Sequence, residues 1–489
     1  MSATTINIDT EQPKAEDGIT RAIVIGSGIA GLVTAHLLTK HFEQVIIIER
    51  DRLQQILSDH HSEKPAPRSG VPQSHQTHVL LTRGQILLDQ LFPGLIDELA
   101  SKGCPLVDWT ADCQLLLPNG QWNPRFSSGI TTRACSRNLL ESVIRQRLVN
   151  YHSVKFLVGT QVTGLLTNAN NTAVIGVELQ NDKAANAHLY GQLIVDASGR
   201  SSKTPQWLQK LGYQKPQQTV VNSFLGYATR CYESLSGDLN CQALYLMPHP
   251  PHTRGGSLFQ VEDGRWMVCL LGVGRDYPPT DELGFLNFAQ SLVSPVVYQS
   301  IKHGQPISPI YGYQRTENRW CHYEKLSSLP ENLVVLGDAV CAFNPVYGQG
   351  MSVATMGALT LDKCLQQQRW RSHNDLIGLA RYFQQQLAKV NLIPWMMATS
   401  EDFRWSTTLG KGKRPDLMTR FMHWYLAQAI KTSSAHPDIY KLYIEVIHLL
   451  KPPTAFFQPN ILAQVLLNWS LKLGRTGSEL AVANWEMDA

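Results

Sequence analysis

The chain has 489 residues, 43% hydrophobic and 17% charged, with 43 Lys and Arg against 39 Asp and Glu for a formal net charge of +4. That length predicts two or three packed lobes, and the dispersed basic residues, with no stripe among them, argue against nucleic acid as a partner. The nine cysteines are odd in number and never spaced C-x-x-C, the pattern of reduced core thiols in a cytoplasmic protein without a disulfide framework or zinc site. The first twenty residues are polar and read as a disordered tail. No run reaches the ~18 apolar residues of a spanning helix, so the protein is expected at most to rest on a membrane surface.

From Arg21 the chain opens as strand, turn, helix and strand. Ala22 to Ile25 predict a buried strand, a helix runs to about Lys40, and Gln44 to Ile48 predict a second strand ending at Glu49. Between them, Gly26-Ser27-Gly28-Ile29-Ala30-Gly31 has dinucleotide-binding spacing. Gly26 permits a tight turn, Gly28 lets backbone N–H groups approach a pyrophosphate, and Gly31 lets helix and strand pack closely. The helix start at Ile29 and Ala30 supplies partial positive charge to the phosphates. Glu49, with Arg50 beside it, is placed to accept the hydroxyls of an adenosine ribose and disfavours a 2′-phosphate there.

Residues 52 to 78 are rich in Pro, His and Ser and predict a long loop of the functional kind. His75 and His78 near its end have the i, i+3 spacing of two metal ligands, but no third ligand lies nearby and no metal is expected. Stretches around Val154 to Leu166, Ala173 to Leu179 and Leu189 to Val195 predict an antiparallel meander ending at Asp196. More short strands follow between about 220 and 275, including a hairpin across Asp263-Gly264. Leu333 to Leu336 return to a buried parallel strand, and a helix runs from about Gly350 to Gln368. From Gln384 onward the period is helical.

That late strand ends in Gly337-Asp338, where a carboxylate can bond a ribityl hydroxyl; the alternative is a helix-capping Asp. The following Asn344-Pro345-Val346-Tyr347-Gly348-Gln349-Gly350-Met351 can bring a second helix N-terminus to the pyrimidine edge of a flavin, stabilising negative charge when the flavin is reduced. The expected cofactor is therefore FAD.

In order and spacing, the Gly26 turn, the Asp196-Ala197-Ser198-Gly199-Arg200 segment and Gly337-Asp338 with Pro345 resemble the aromatic-hydroxylase-like (group A) FAD monooxygenases over about residues 21 to 370. That family commonly has Asp-Gly where this chain has Asp-Ala-Ser-Gly. The resemblance implies that Arg137, following a strand and beginning a helix, reaches the flavin's pyrophosphate or ribityl chain. Gly70-Val71-Pro72-Gln73-Ser74-His75-Gln76-Thr77-His78 and the segment from Asn344 to Met351 look like the branch of bacterial polyketide and polyene epoxidases, with squalene epoxidase more distant.

The expected fold class is α/β. A Rossmann-like FAD-binding domain, discontinuous over 21–99, 131–213 and 330–370, joins a mainly antiparallel β-sheet substrate domain over 100–130 and 214–329. A C-terminal helical lobe covers 371–489, and the tail covers 1–20. With one glycine fingerprint and no redox cysteine pair, NADPH or NADH must visit the flavin transiently, or a separate flavin reductase must deliver electrons. The expected chemistry is the flavin's own: reduced FAD takes up O2 at C4a and passes one electrophilic oxygen to an alkene or aromatic ring, by epoxidation or hydroxylation. The protein supplies position, dryness and charge stabilisation, and no catalytic acid or base is singled out. The apolar second lobe favours a lipophilic substrate. Apolar residues from Trp424 to Phe456-Phe457 are read as core packing, or alternatively as an entrance that touches a membrane or carrier. The rivals are a flavin-dependent halogenase, whose W-x-W-x-I-P signature is absent, a prenyl-chain reductase and a noncatalytic flavin-binding protein.

Overall fold

A computed structural model describes residues 20–53, 68, 70–181, 187–237, 239–372, 375–410 and 417–470. Apart from Thr20, the expected tail lies outside the described residues, as do 54–67 and 69 of the long loop. The elements that build the site are labelled in chain order: β1 (Arg21–Ile25), α1 (Ile29–Leu38), β2 (Gln44–Glu49), α2 (Arg137–Val149), β3 (Val154–Val158), β4 (Leu193–Asp196), β5 (Leu333–Val335), α3 (Gly350–Ser372) and α4 (Leu379–Asp402).

The five strands form one parallel sheet in the order β5-β4-β1-β2-β3. Parallel strands covered on both faces need continuous apolar runs, which β1 and β2 provide. Ala22, Ile23, Val24, Val45 and Ile47 are fully buried, each larger aliphatic contributing about 1.5–3 kcal/mol. Helix α1 packs on α3 and α2, so helices that begin 321 residues apart in sequence share one layer.

The expected meander is corrected in its first and third stretches. β3 leaves it to pair with β2, and β4 leaves it to pair with β1, while Thr160–Thr167, Val174–Asn181 and Ala187–Tyr190 form the antiparallel sheet. The sequence pattern reads each stretch as one strand, whereas Gly159, with φ +63°, breaks the first and Gly191 ends the last strand of the meander. The hairpin across Asp263-Gly264 is present, joining Arg254–Gln260 to Trp266–Gly272 in a seven-stranded, mainly antiparallel sheet. Eight of the nine cysteines are buried, Cys231 is half-buried, and none is joined in a disulfide.

Two C-terminal helices, Leu417–Ser433 and Pro437–Ile447, enclose a core of their own with Phe456 and with Ile461 and Val465 of the helix that follows. His448 ties this lobe to the first domain by accepting from the Thr82 N–H at 3.1 Å, and burial pushes its pKa down to about 3. Among the described residues no helix is long and apolar enough to cross a membrane. Phe456 is 3% exposed, and the Phe457 ring stacks on Tyr425 at 4.8 Å. This is the core-packing alternative of the two readings. Phe456→Ser should therefore cost about 3 kcal/mol or more. Thermal unfolding should show a lowered Tm while the remaining folded enzyme keeps normal turnover; lost turnover at unchanged Tm would favour the entrance instead.

Candidate active site

The phosphate turn is shaped by contacts that only glycine allows. Gly26 has φ +100°, its N–H donates to Ile48 O at 2.8 Å, and a Cβ there would stand 2.8 Å from Ala197 O. A Cβ on Gly31 would stand 1.9 Å from Gly26 O. Gly28 differs: its φ of −74° suits any residue, and a Cβ would meet only Arg137 Nη2 at 3.8 Å and Glu141 Oε1 at 4.0 Å. Helix α1 begins at Ile29 without a capping side chain or an acid in its first turn. Its first N–H groups are thus left to an anion in the open space at Gly28.

Charged groups from three elements close round that space. Glu49, 5% exposed, accepts from Ser27 N at 2.9 Å, Ser27 Oγ at 2.7 Å and Asp51 N at 3.0 Å, and pairs with Arg68. Burial opposes its ionisation, but Arg68 and these donors hold its carboxyl below the ordinary range. A carboxylate offers about four acceptor positions, so Oε1 keeps one for a ribose hydroxyl. Arg68 also bonds Ser27 O at 3.1 Å and Glu141 Oε2 at 3.0 Å. Glu141 receives Arg137 Nε at 2.8 Å as well, with Arg145 3.8 Å away. Burial works against the Glu141 charge, yet Arg137, Arg68 and Arg145 keep it ionised. His78 Nδ1 donates to Gln76 O at 2.8 Å, leaving Nε2 to accept from Arg137 at 3.4 Å. Burial, reinforced by Arg137, pushes His78 to about 4, so it is neutral at pH 7. His75 instead stacks on Tyr311 at 3.8 Å.

The distant motif arrives by another close approach. Gly337 has φ +64°, and a Cβ there would stand 2.9 Å from Ala30 Cβ. Asp338 follows with its side chain 34% exposed, 3.9 Å from Arg200 Nε. Its carboxylate takes no hydrogen bond among the described residues, so it caps no helix. Asp196, by contrast, is fully buried and occupied by Ser198, Ser202 and Thr204 hydroxyls at 2.5, 2.5 and 2.6 Å. It shapes the turn after β4 and has no surface to offer a nicotinamide. Further on, Gly348 has φ +65° and lies against Val79 and Leu81, Met351 is 7% exposed, and a Cβ on Gly350 would meet nothing.

The geometry gathers Gly26, Gly28, Ile29, Ala30, Gly31, Glu49, Arg137 and Asp338 at the carboxyl end of β1. Gly348, Gly350 and Met351 form the start of α3, which packs on α1. Arg50 lies outside the group, exposed and donating to Gly70 O at 2.9 Å. Three participants were missed. Glu141 had a legible signal in its i, i+4 spacing to both Arg137 and Arg145; Arg68 and Asp402, described below, had none. Among the described residues no three His, Cys, Asp or Glu side chains cluster as metal ligands. The space at Gly28 and Gly350, the uncapped α1 and the partly exposed Asp338 carboxylate fit an adenine dinucleotide with a flavin.

Comparison with known proteins agrees. Residues 24–53 match the NAD(P)-binding Rossmann-like domain family. Over 386 residues the chain is 30% identical to Protein Rv3254 of Mycobacterium tuberculosis, covering 77% of this chain and 78% of that one. It is 24% identical to kynurenine 3-monooxygenase of Salinispora tropica, over 71% and 72% of the two chains. The flavin-dependent brominase Bmp2 shares the fold at a TM-score of 0.58 and 15% identity, over 93% of this chain and 100% of that one. Fold and site define a flavin-dependent oxidoreductase that uses FAD with NAD(P)H. The chain belongs to the family of Protein Rv3254.

Gly28→Ala and Gly31→Ala should fail differently. The first should keep its Tm and lose FAD, because its Cβ fills only the pyrophosphate space. The second should lose stability by about 1–3 kcal/mol or more, because its Cβ strikes backbone. Far-UV melting and FAD released on denaturation separate them; FAD retained by Gly28→Ala would remove this assignment.

Asp338→Ala should weaken FAD binding by about 1.5–3 kcal/mol, roughly one to two decades, without lowering Tm. Fluorescence titration of the apoprotein measures this, and unchanged affinity would end the ribityl role.

Proposed function

We propose that the protein is a monooxygenase that, with electrons from NADPH or NADH, places one oxygen atom of O2 into a lipophilic alkene or aromatic ring. The observation that carries this reading is the wall beside the turn into α3. Leu225, Tyr227, Leu271 and Val273 of the seven-stranded sheet region pack with Tyr313 and with Val346 of that turn. A substrate held between this wall and the start of α3 would meet hydrocarbon and phenol, with little charge. Bound FAD supplies the activation of O2. The chain's own residues exclude water and aim the N–H groups of α3 at developing negative charge. Burial pushes the hydroxyl pKa of Tyr227 and Tyr313 upward. Both therefore stay protonated at neutral pH, as hydrogen-bond donors rather than bases.

For the reductant, a cleft of about 360 Å³ is lined by Arg200, Lys203, Arg315 and Arg319. Arg200 Nε and Arg319 Nε are buried without a hydrogen-bond partner. Arg200 pairs with Glu317 at 3.3 Å, whereas Lys203, Arg315 and Arg319 carry no ion pair among the described residues; three such cations suit the phosphates of a pyridine nucleotide and favour NADPH over NADH. The expected result is anaerobic flavin reduction by NADPH, weaker binding of NADPH by Lys203→Gln, then substrate-dependent oxygen uptake and a product heavier by one oxygen. A double bond reduced without oxygen uptake, or a brominated product when bromide is present, would overturn the reading.

A further inference from the structure

Asp402, the last residue of α4, is 2% exposed and sits beneath the turn that leads into α3. Its Oδ2 accepts from Asn318 Nδ2 at 2.7 Å, and its Oδ1 from Asn344 Nδ2 and Tyr347 Oη, both at 3.1 Å. Asn318 Oδ1 in turn accepts the Asn344 N–H at 2.7 Å. Asn344 Oδ1 accepts the Val346 N–H at 3.2 Å and Tyr227 Oη at 3.4 Å. Asp402 thus gathers the polar side chains of the 344–347 turn, directly and through Asn318, and no cation pairs with it among the described residues. A buried carboxylate held only by neutral donors is costly to ionise. Apolar packing would have served better if mere cohesion were required.

We propose that Asp402 is a positioning residue for the flavin, whose ionised carboxylate holds the Asn344–Tyr347 turn and so sets the Gly348–Met351 start of α3 for the cofactor. This rests on Gly348–Met351 being the flavin's pyrimidine edge. A proton on either carboxylate oxygen removes an acceptor that Asn318, Asn344 or Tyr347 now uses, and the turn loosens.

Burial pushes the Asp402 carboxyl up to about 7, against the hydrogen bonds from Tyr347, Ser223 and Asn344. The groups facing it are Tyr347 and Tyr227, both held protonated by burial, and Glu401 on its own helix, which pairs with Arg404. Two opposite pH dependences follow. Because the folded carboxyl is raised above its ordinary 3.8, its contribution to apoprotein stability is full below that value and is lost as pH rises through about 7. FAD affinity should run the other way, strengthening as Asp402 ionises. A carboxylate serving cohesion alone would show only the first trend.

Titration of apoprotein with FAD between pH 5.5 and 8.5 tests this. The wild type should bind about tenfold more tightly above the inflection than below it, the worth of one charge-assisted hydrogen bond. Asp402→Asn should show no inflection. Tyr347→Phe should keep it but move it to higher pH, since the carboxylate loses a donor; this variant also decides the matter if Asp402→Asn does not fold. A flat wild-type profile, an inflection surviving in Asp402→Asn, or an unmoved one in Tyr347→Phe would overturn the proposal. Gly350→Ala separates the underlying assumption, because its Cβ meets no protein atom. FAD affinity untouched by that change would show the pyrimidine-edge reading to be wrong, whereas weakened affinity beside a flat wild-type profile would remove only the role of Asp402.

Discussion

Around the carboxyl end of β1 three pieces of chain come closer than any side chain permits. Gly26 lies under Ala197 O, Gly31 against Gly26 O, and Gly337 against Ala30, with a Cβ separated from its neighbour by 2.8, 1.9 and 2.9 Å respectively. The rest of the site depends on these approaches. The first lets the turn after β4 fold over the turn after β1; the second aims α1 along the sheet with its first N–H groups unspent. The third carries Asp338 to the same spot from more than three hundred residues downstream. A methyl group at Gly26, Gly31 or Gly337 would push apart elements that the parallel sheet has already brought into register.

The electrostatic counterpart is a chain of paired charges: Glu49, Arg68, Glu141 and Arg137, with Arg145 buried behind. Burial pushes Arg145 down to about 10, and repulsion from Arg68 adds to this. Glu141, Glu49 and Asp51 act the other way, and Arg145 keeps its charge at neutral pH. The arrangement fixes Arg137 from two sides, by the Glu141 carboxylate and by a neutral His78 whose tautomer is set by Gln76 O. Pre-positioned guanidinium groups lose little freedom when a phosphate arrives.

What could be read in the sequence was what local spacing encodes. The strand, turn and helix around Gly26 follow from six neighbouring residues, and the β5-turn-α3 unit from another short run. The meander was misjudged because a strand's partner is a tertiary fact: Val154–Val158 and Thr160–Thr167 are adjacent in sequence yet belong to different sheets. Arg68 meets Glu141 across 73 residues and Asp402 meets Asn318 across 84, so no periodicity announces either pair. Asp338 was open to two readings, and its partly exposed carboxylate, which takes no hydrogen bond among the described residues, removes the helix-capping one. Asp196 stood in a familiar motif, but three hydroxyls contributed by its own following turn occupy it.

The cysteines have a chemical consequence for a protein that handles O2. Oxidation by peroxide proceeds through the thiolate. Burial raises the pKa of Cys113, Cys241, Cys269, Cys321, Cys341 and Cys364, and a hydrogen bond with Cys104 together with burial raises that of Cys135. Peroxide escaping an unproductive turnover would meet sulfur that keeps its proton. The packing that stabilises the lobes thereby also makes these seven thiols poor targets for the oxidant the chain's own cofactor can release.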